Sequence, residues 1–430
     1  MRVLICGASG FIGRHLGRCL LLRGHTVVAV VRHPTGVHSA GFASQAVAGD
    51  FSRDLTPADW VPRLAGIDVV VNAVGILREH GNQRFEQLHV RGPMALFDAC
   101  VQADVQRVLQ ISALGADAAA HSAYHLSKRA ADDHLLALPL AATVVQPSLV
   151  YGSGGASAAL FNLLASLPWI PLPGRGRQQV QPLHIDDLVQ ALRVLIEGGT
   201  EAGERLPLVG PQPLPLREFL TRLRQGMRLP PPRWIEVPPA LVKAGAALMS
   251  CWPGALFDRE TFQMLERGNT APTDAAQRLL GRPARPAESF IEPEQAATAR
   301  MQARLAWLLP PLRLSIALVW IVTGLLSLGL YPVHDSYALL ARLGVAGVLA
   351  PVLLYGAAAL DLALGLATLF VRRWPLLWWL QIALMVGYMV LITWALPEFW
   401  LHPFGPILKN LPMLAAIALL LGLEEPRWNT

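Results

Sequence analysis

The sequence predicts an α/β protein with a doubly wound parallel sheet and a small α+β region, followed by a C-terminal four-helix transmembrane bundle. Three observations predict it. A short apolar run, Val3-Leu4-Ile5-Cys6, is stopped by glycines and followed by a helical pattern from His15 to Arg23. Similar runs at Thr26 to Val31, Ala46 to Ala48, Val69 to Val71 and Val108 to Ile111 alternate with longer stretches, the rhythm of a parallel sheet. Only 15% of the residues are charged and mean hydropathy is +0.40, yet most of the charge precedes Arg313, and from there to Leu423 the chain is nearly all apolar.

A chain of 430 residues exceeds one ordinary domain. The expected units are 1–150, 151–300 and 311–424, with elements from 178–212 returning to the first sheet. The net charge is +6, but the basic residues are scattered arginines without a Lys-rich run or an aromatic-interleaved stripe, so no nucleic-acid partner is expected. Cys6, Cys19, Cys100 and Cys251 lie far apart, with no CxxC or Cys/His spacing. They read as buried thiols in a reducing compartment, with no metal site. Met1 to Gly7 runs directly into a strand and a glycine turn, so the expectation is that nothing is cleaved and the N-terminal region folds in the cytosol.

The loop after the first strand is Gly7-Ala8-Ser9-Gly10-Phe11-Ile12-Gly13. In a strand-loop-helix unit the first glycine makes the tight turn, the second admits a pyrophosphate and the third lets the helix pack on the strand. Free amides at the helix N-terminus then face the phosphates. This is the pattern of a Rossmann dinucleotide site, with Gly7, Ser9, Gly10, Phe11, Ile12 and Gly13 as contacts. The second strand ends at Arg32, where an NAD-preferring fold places an acid. A basic residue there fits a 2′-phosphate and favours NADP(H) over NAD(H), with Arg14 assisting; the other reading of Arg32-His33 is a solvated loop. Asp50 ends the third strand, where it would contact the adenine. Asn72-Ala73-Val74-Gly75 ends the fourth in small residues over which the cofactor lies.

Ser112 follows the fifth strand, and Tyr124 and Lys128 stand four residues apart, on one face of a helix. A phenol with a pKa of about 10 is a poor acid/base catalyst at neutral pH, and a neighbouring ammonium favours the phenolate. Ser112 is expected to bond the substrate oxygen and Tyr124 to transfer the proton. The bland alternative for Tyr124 and Lys128 is an exposed helix face.

With these motifs in this order, the first 300 or so residues resemble the short-chain dehydrogenase/reductase superfamily. More narrowly, they resemble its atypical branch, which includes the NADPH-binding accessory subunit of respiratory complex I and bacterial epimerase-like proteins. The segment Gln146-Pro147-Ser148-Leu149-Val150-Tyr151-Gly152 is similar to the one that approaches the nicotinamide in that branch, which implies a cofactor contact at Pro147; Gln146 departs from the Arg of many relatives. Pro182 to Asp187 resembles its later strand-to-helix turn. The resemblance implies that Ser112, Tyr124 and Lys128 are catalytic and that Tyr124 and Lys128 also touch the cofactor. It leaves three functions open: an oxidoreductase for a hydrophobic carbonyl or hydroxyl compound, a non-turnover NADP(H)-binding structural or assembly factor with a partner in a membrane respiratory complex, and an NAD-dependent epimerase/dehydratase.

Beyond Tyr151 the chain is rich in Pro and Gly and is expected to shape a substrate pocket. His184 and Asp186 are candidate pocket groups, although an N-cap with first-turn acids suits Asp186 and Asp187 better. Arg175 and Arg177 meet either an anion or solvent. The stretch from Pro238 to Met249, with Trp252 and Leu256, either leans on a membrane or fills a core. Apolar segments at Leu314 to Leu330, Val345 to Val371, Leu376 to Leu396 and Ile407 to Leu423 each approach the roughly 20 residues of a span. Trp374, Trp378, Trp379, Trp394 and Trp400 are expected at the interfaces. Basic residues at Arg304, Arg313 and Arg372-Arg373 put both termini and the N-terminal domain on the cytoplasmic side of a multi-pass protein of the inner (cytoplasmic) membrane. Asp361, inside the second segment, is either functional or paired with a neighbouring helix. This region resembles the DoxX-like four-helix membrane family.

Overall fold

In the computed structural model, seven parallel strands form the centre of a first compact unit, residues 1–303. The structure describes residues 1–35, 40–198, 203–238, 240–242, 244–245, 259–403 and 405–424. Cys251, Trp252, Leu256 and part of the stretch from Pro238 to Met249 lie outside them.

The strands are β1 (Arg2–Cys6), β2 (Thr26–Val31), β3 (Gln45–Ala48), β4 (Val69–Asn72), β5 (Arg107–Ile111), β6 (Ala142–Pro147) and a seventh, Glu204–Leu208. Across the sheet they run Glu204–Leu208, β6, β5, β4, β1, β2, β3. The winding reverses between β1 and β4, where Ile5 pairs with both Ala29 and Val71, and this opens a crevice at the C-terminal strand ends. The seventh strand aligns Leu206 with Val145, so the sheet is completed by residues beyond 200.

Alternate side chains point to opposite faces, which explains why strands buried on both sides are apolar throughout. Val3, Ile5, Val27, Ala29 and Val71 pack under Leu16 and Leu20 of the helix Phe11–Leu22 and Leu188 and Leu192 of Ile185–Glu197. Leu4, Val28, Val70 and Val108 pack under Trp60, Phe97 of Gly92–Gln102 and Leu135 of Ala123–Ala137. Each fully buried Leu, Val or Phe contributes roughly 1.5–3 kcal/mol. Residues 151–303 add a separate cluster around Phe161, Phe219 and Leu220, in which Tyr151 stacks on Phe290 at 4.9 Å between ring centres.

At the strand-to-helix turn before Ile185–Glu197, His184 is the capping residue, its ring accepting from the Asp186 amide at 3.3 Å. Asp187 is wholly buried and holds the chain at 282–285 by accepting from the Arg282 guanidinium and the Arg285 amide, both at 2.6 Å. Arg175 meets Glu236 at 3.1 Å.

The second unit comprises residues 304–430. Among the described residues, three helices are long and apolar enough to cross a membrane: Ala296–Leu330, Leu349–Phe370 and Pro375–Ala395. The first two approach closely, because a Cβ on Gly365 would sit 2.6 Å from Ile321 Cγ1 and 3.0 Å from the Ala317 carbonyl. The fourth expected span is shorter than predicted. Its helix covers only Asn410–Leu423, about 21 Å at 1.5 Å per residue, because residues 406–409 form turns. A further helix, Val333–Arg342, precedes the second span.

One tryptophan is also corrected: Trp378 is wholly buried, donating to Glu424 at 3.0 Å beneath Arg313, whereas Trp374, Trp379 and Trp394 are exposed. Arg313 bonds Glu424 and the carbonyls of Thr368 and Val371. Nearby, Trp320 donates to Gln381 at 2.8 Å and Gln381 to Thr368 at 2.9 Å. Asp361 is buried, with one oxygen lacking a hydrogen-bond partner among the described residues.

Candidate active site

The glycine loop is shaped by backbone contact. Gly7 has φ +74, and a Cβ there would lie 2.8 Å from the Ala73 carbonyl; one on Gly13 would lie 2.3 Å from the Gly7 carbonyl. Ser9 and Gly10 are exposed, while Phe11 and Ile12 are half-buried. At helix entry the first-turn amides have no carbonyl a turn behind them to bond.

The ends of β2 and β3 lie to one side of this loop. Arg32 is exposed there. Asp50 accepts from the Ser52 amide at 2.9 Å and the Ser52 hydroxyl at 2.7 Å. Burial raises its carboxyl, but the Ser52 bonds and the charges of Arg32 and Arg53 outweigh that and bring it below the usual range. On the other side, Asn72 donates to Gln110 at 2.8 Å and accepts from the Val74 amide at 3.1 Å, which folds Ala73, Val74 and Gly75 into a turn. The Pro147 carbonyl accepts from the Leu114 amide at 3.0 Å and holds the loop after Ser112 against the end of β6. Gln146 donates to the Ala116 carbonyl at 3.2 Å.

Ser112 leaves β5 with its amide on the Val145 carbonyl, and its hydroxyl donates to Asp132. Tyr124 and Lys128 stand one turn apart on the helix Ala123–Ala137, which Ser122 caps by accepting from the His125 amide. Lys128 is buried, and its Nζ donates to the carbonyls of Val74 (2.9 Å) and Ile111 (3.2 Å), tying the ends of β4 and β5 together. Tyr124 lies among the rings of Phe85, His89 and His125, with centres 6.2, 5.6 and 5.3 Å away. Ser112, Lys128 and the Asn72–Gly75 turn thus share one strand-end crevice, with Tyr124 at its helix wall; Arg32 and Asp50 sit at the far strand ends.

Burial dominates the electrostatics. It pushes Tyr124 up to about 12, with Asp132 adding to the effect. It pulls Lys128 down to about 8 against the pull of Asp132, and raises Asp132 to about 6 despite Ser112 and Lys128. Lys128 directs its ammonium at two carbonyls and is not among the groups that shift the Tyr124 phenol. His89 falls to about 2 through burial and the Lys128 charge, so its ring is neutral. With Nε2 accepting from the Ile76 amide at 3.0 Å, its proton sits on Nδ1 and is donated to Ser127, which donates to the Tyr124 carbonyl.

Sequence reasoning missed three participants. Asp132 had a usable signal, being four residues past Lys128 on the same helix face. His89 and Arg267 had none; Arg267 reaches across 152 residues to the Gly115 carbonyl and pairs with Asp117. Beside Tyr124, an open groove of about 640 Å³ is lined by Phe85, Val90, Ala123 and Leu126 with Arg78 and Glu79. Among the described residues, no group of three or more His, Cys, Asp or Glu could hold a metal ion.

Residues 3–206 match the NAD dependent epimerase/dehydratase family, and residues 317–418 match the DoxX-like family. The chain joins an epimerase-like NAD(P)-binding domain to a DoxX-like membrane domain. It is 32% identical over 193 residues to a ceramide reductase of Caulobacter vibrioides, covering 44% of this chain and 59% of that one. It is 29% identical to the mitochondrial NADH dehydrogenase [ubiquinone] 1 alpha subcomplex subunit 9 of Arabidopsis thaliana, covering 56% and 62%. The chain thus spans less than two thirds of these relatives' length. A solved structure of MoeE5 in complex with UDP-glucuronic acid and NAD shares the fold at 23% identity, with a TM-score of 0.53, covering 71% of this chain and all of that one.

The residues of the epimerase-like domain fit a nicotinamide dinucleotide. The loop at Gly7 and Gly13 leaves no space for a Cβ, exposed Gly10 would set one 3.0 Å from the Gly7 carbonyl, and a Cβ on Gly75 would come within 3.1 Å of Lys128 Nζ.

Proposed function

We propose that this chain is a membrane-anchored NADP(H)-dependent oxidoreductase of short-chain dehydrogenase type, acting on a carbonyl or hydroxyl group of a hydrophobic substrate. The observation that carries it is the strand-end crevice in which Ser112 and buried Lys128 meet the Asn72–Gly75 turn, with Tyr124 one helical turn away.

The cofactor, when bound, supplies or accepts the hydride. Gly7, Ser9, Gly10, Phe11, Ile12 and Gly13 hold its pyrophosphate, Arg32 its 2′-phosphate, Asp50 its adenine end, and Asn72 to Gly75 with Pro147 the crevice floor. Ser112 orients the substrate oxygen. Tyr124 gives its phenolic proton to that oxygen in reduction and takes it back in oxidation. Lys128 stabilises the phenolate left behind and bonds the ribose. The apolar side of the groove, formed by Phe85, Val90, Ala123 and Leu126, supports a hydrophobic substrate, as does attachment to a membrane domain. The basic residues flanking the apolar helices support a multi-pass arrangement in the inner membrane with both termini in the cytoplasm.

The test uses the full chain purified in mild detergent. Bound cofactor is extracted and identified, and oxidation of NADPH and NADH is followed with long-chain methyl ketones. NADPH at one per chain and turnover that falls about 10²–10⁴-fold in Tyr124→Phe support the reading; full activity in that variant sinks it. One observation favours a second reading, a cofactor-stabilised structural or assembly factor of a membrane respiratory complex: Lys128 is engaged with two carbonyls and the Tyr124 phenol is pushed up. That reading expects stoichiometric NADPH, no turnover and co-purifying partners. The epimerase/dehydratase family match favours a third, for which extracted NAD is the mark.

A further inference from the structure

We propose that Asp132 is a positioning residue whose proton decides whether Ser112 offers the crevice a hydrogen-bond acceptor or a donor. The inference rests on the oxidoreductase reading of the same site.

A serine hydroxyl has one proton and two lone pairs. Here the proton is committed inward, to Asp132. With Asp132 ionised, Ser112 therefore presents only lone pairs, which suit a bound alcohol and repel a carbonyl oxygen. When Asp132 is protonated, its own O–H donates to Ser112 Oγ, and the serine proton turns outward to a carbonyl. One O–H bond forms on Asp132 with a proton taken from solvent, the serine hydroxyl rotates, and no other covalent bond changes.

The surroundings permit this. Asp132 is wholly buried, its Oδ2 accepts from Ser112 and its Oδ1 has no hydrogen-bond partner among the described residues, so a proton on Oδ2 reverses the Ser112 bond without breaking another shown there. The groups facing it are few. Lys128 and Tyr124 lie on its own helix, Asp133 is next in the chain, Ser112 comes from β5, and Arg205 comes from the strand Glu204–Leu208, where it is paired with Asp133. Lys128 is tied to Val74 and Ile111 and does not bond the carboxylate. The carboxyl titrates near about 6, so both states are reached close to neutrality.

The test needs no substrate for its first arm. Infrared titration of the full chain in detergent is expected to show a protonated-carboxyl band with a midpoint near about 6. The band is lost in Asp132→Asn, and its midpoint moves upward by roughly one unit in Ser112→Ala, where the ionised form loses the Ser112 hydrogen bond. A midpoint unchanged in Ser112→Ala overturns the proposal. In the second arm, kcat/KM for NADPH-dependent reduction of 2-dodecanone rises in wild type as pH falls through about 6. It is flat across that range in Asp132→Asn, whose amide N–H donates permanently to Ser112. Turnover that depends on Tyr124 together with an uncoupled carboxyl defeats this inference and spares the oxidoreductase; a coupled carboxyl without turnover does the reverse. Fluorescence of bound NADPH checks that each variant is folded.

Discussion

In the first unit, Asp132 is wholly buried with one oxygen on Ser112 and the other unpartnered, and neighbouring Gln110 has an unpartnered amide nitrogen among the described residues. In the second unit, Arg313 and Glu424 leave little unmet. The guanidinium reaches Glu424 and two carbonyls while stacking over Trp378, and Trp378 bonds the other Glu424 oxygen. A buried polar group without its partner costs free energy, and a complete network rigidifies its surroundings. The first cluster is thus built to change its bonding when protons or ligands arrive, and the second to hold helix ends together. Asp361 and Trp307 break the pattern within the second unit, each with one buried polar atom that lacks a hydrogen-bond partner among the described residues.

The comparison can be sharpened first where the largest effect is expected. Tyr124→Phe should lower turnover of a long-chain ketone by about 10²–10⁴-fold while leaving thermal stability nearly unchanged, as a working group does. Arg313→Ala should do the opposite, destabilising the membrane domain by roughly 1–3 kcal/mol by taking the guanidinium from the half-buried Glu424 carboxylate and from two helix-end carbonyls. Thermal unfolding in detergent measures this, and a stability equal to wild type would break the contrast. Arg32→Ala should weaken NADPH binding by about 10–100-fold, the worth of a charge-assisted bond, with NADH binding nearly unchanged; fluorescence titration reads both.

The smallest effect is in the pH dependence of stability. Asp132 keeps its proton up to about 6 in the folded chain, but releases it near about 4 when unfolded. Between those values the folded state binds more protons, so this group's contribution falls as pH rises. Denaturant unfolding from pH 4 to 6 should show a shallower decline in Asp132→Asn than in wild type.

Much of the first domain was legible because its signals are local. The glycine loop, the apolar strands and the Tyr124 and Lys128 pair each occupy a few adjacent residues whose spacing carries the geometry. The membrane domain was legible in composition but not in detail. Apolar residues continue through Ile407 and Leu408 where the helix has not begun, and Trp378 looked like its exposed neighbour Trp379 although only one of them faces Arg313.

The sequence by itself determined the parallel sheet, the glycine loop after β1, the placing of Tyr124 and Lys128 on one helix face and the apolar character of the C-terminal third, since periodicity and motif spacing encode all of these. Only the tertiary structure decided which part of the expected returning segment, Glu204–Leu208, completes the sheet, that Asp187 anchors residues 282–285, and that Lys128 is spent on two strand-end carbonyls while Asp132 accepts the Ser112 hydrogen bond. Each of these depends on which groups are buried together across many residues of chain. Burial sets both the hydrogen-bond partners and the protonation of a charged side chain, and no local pattern records it.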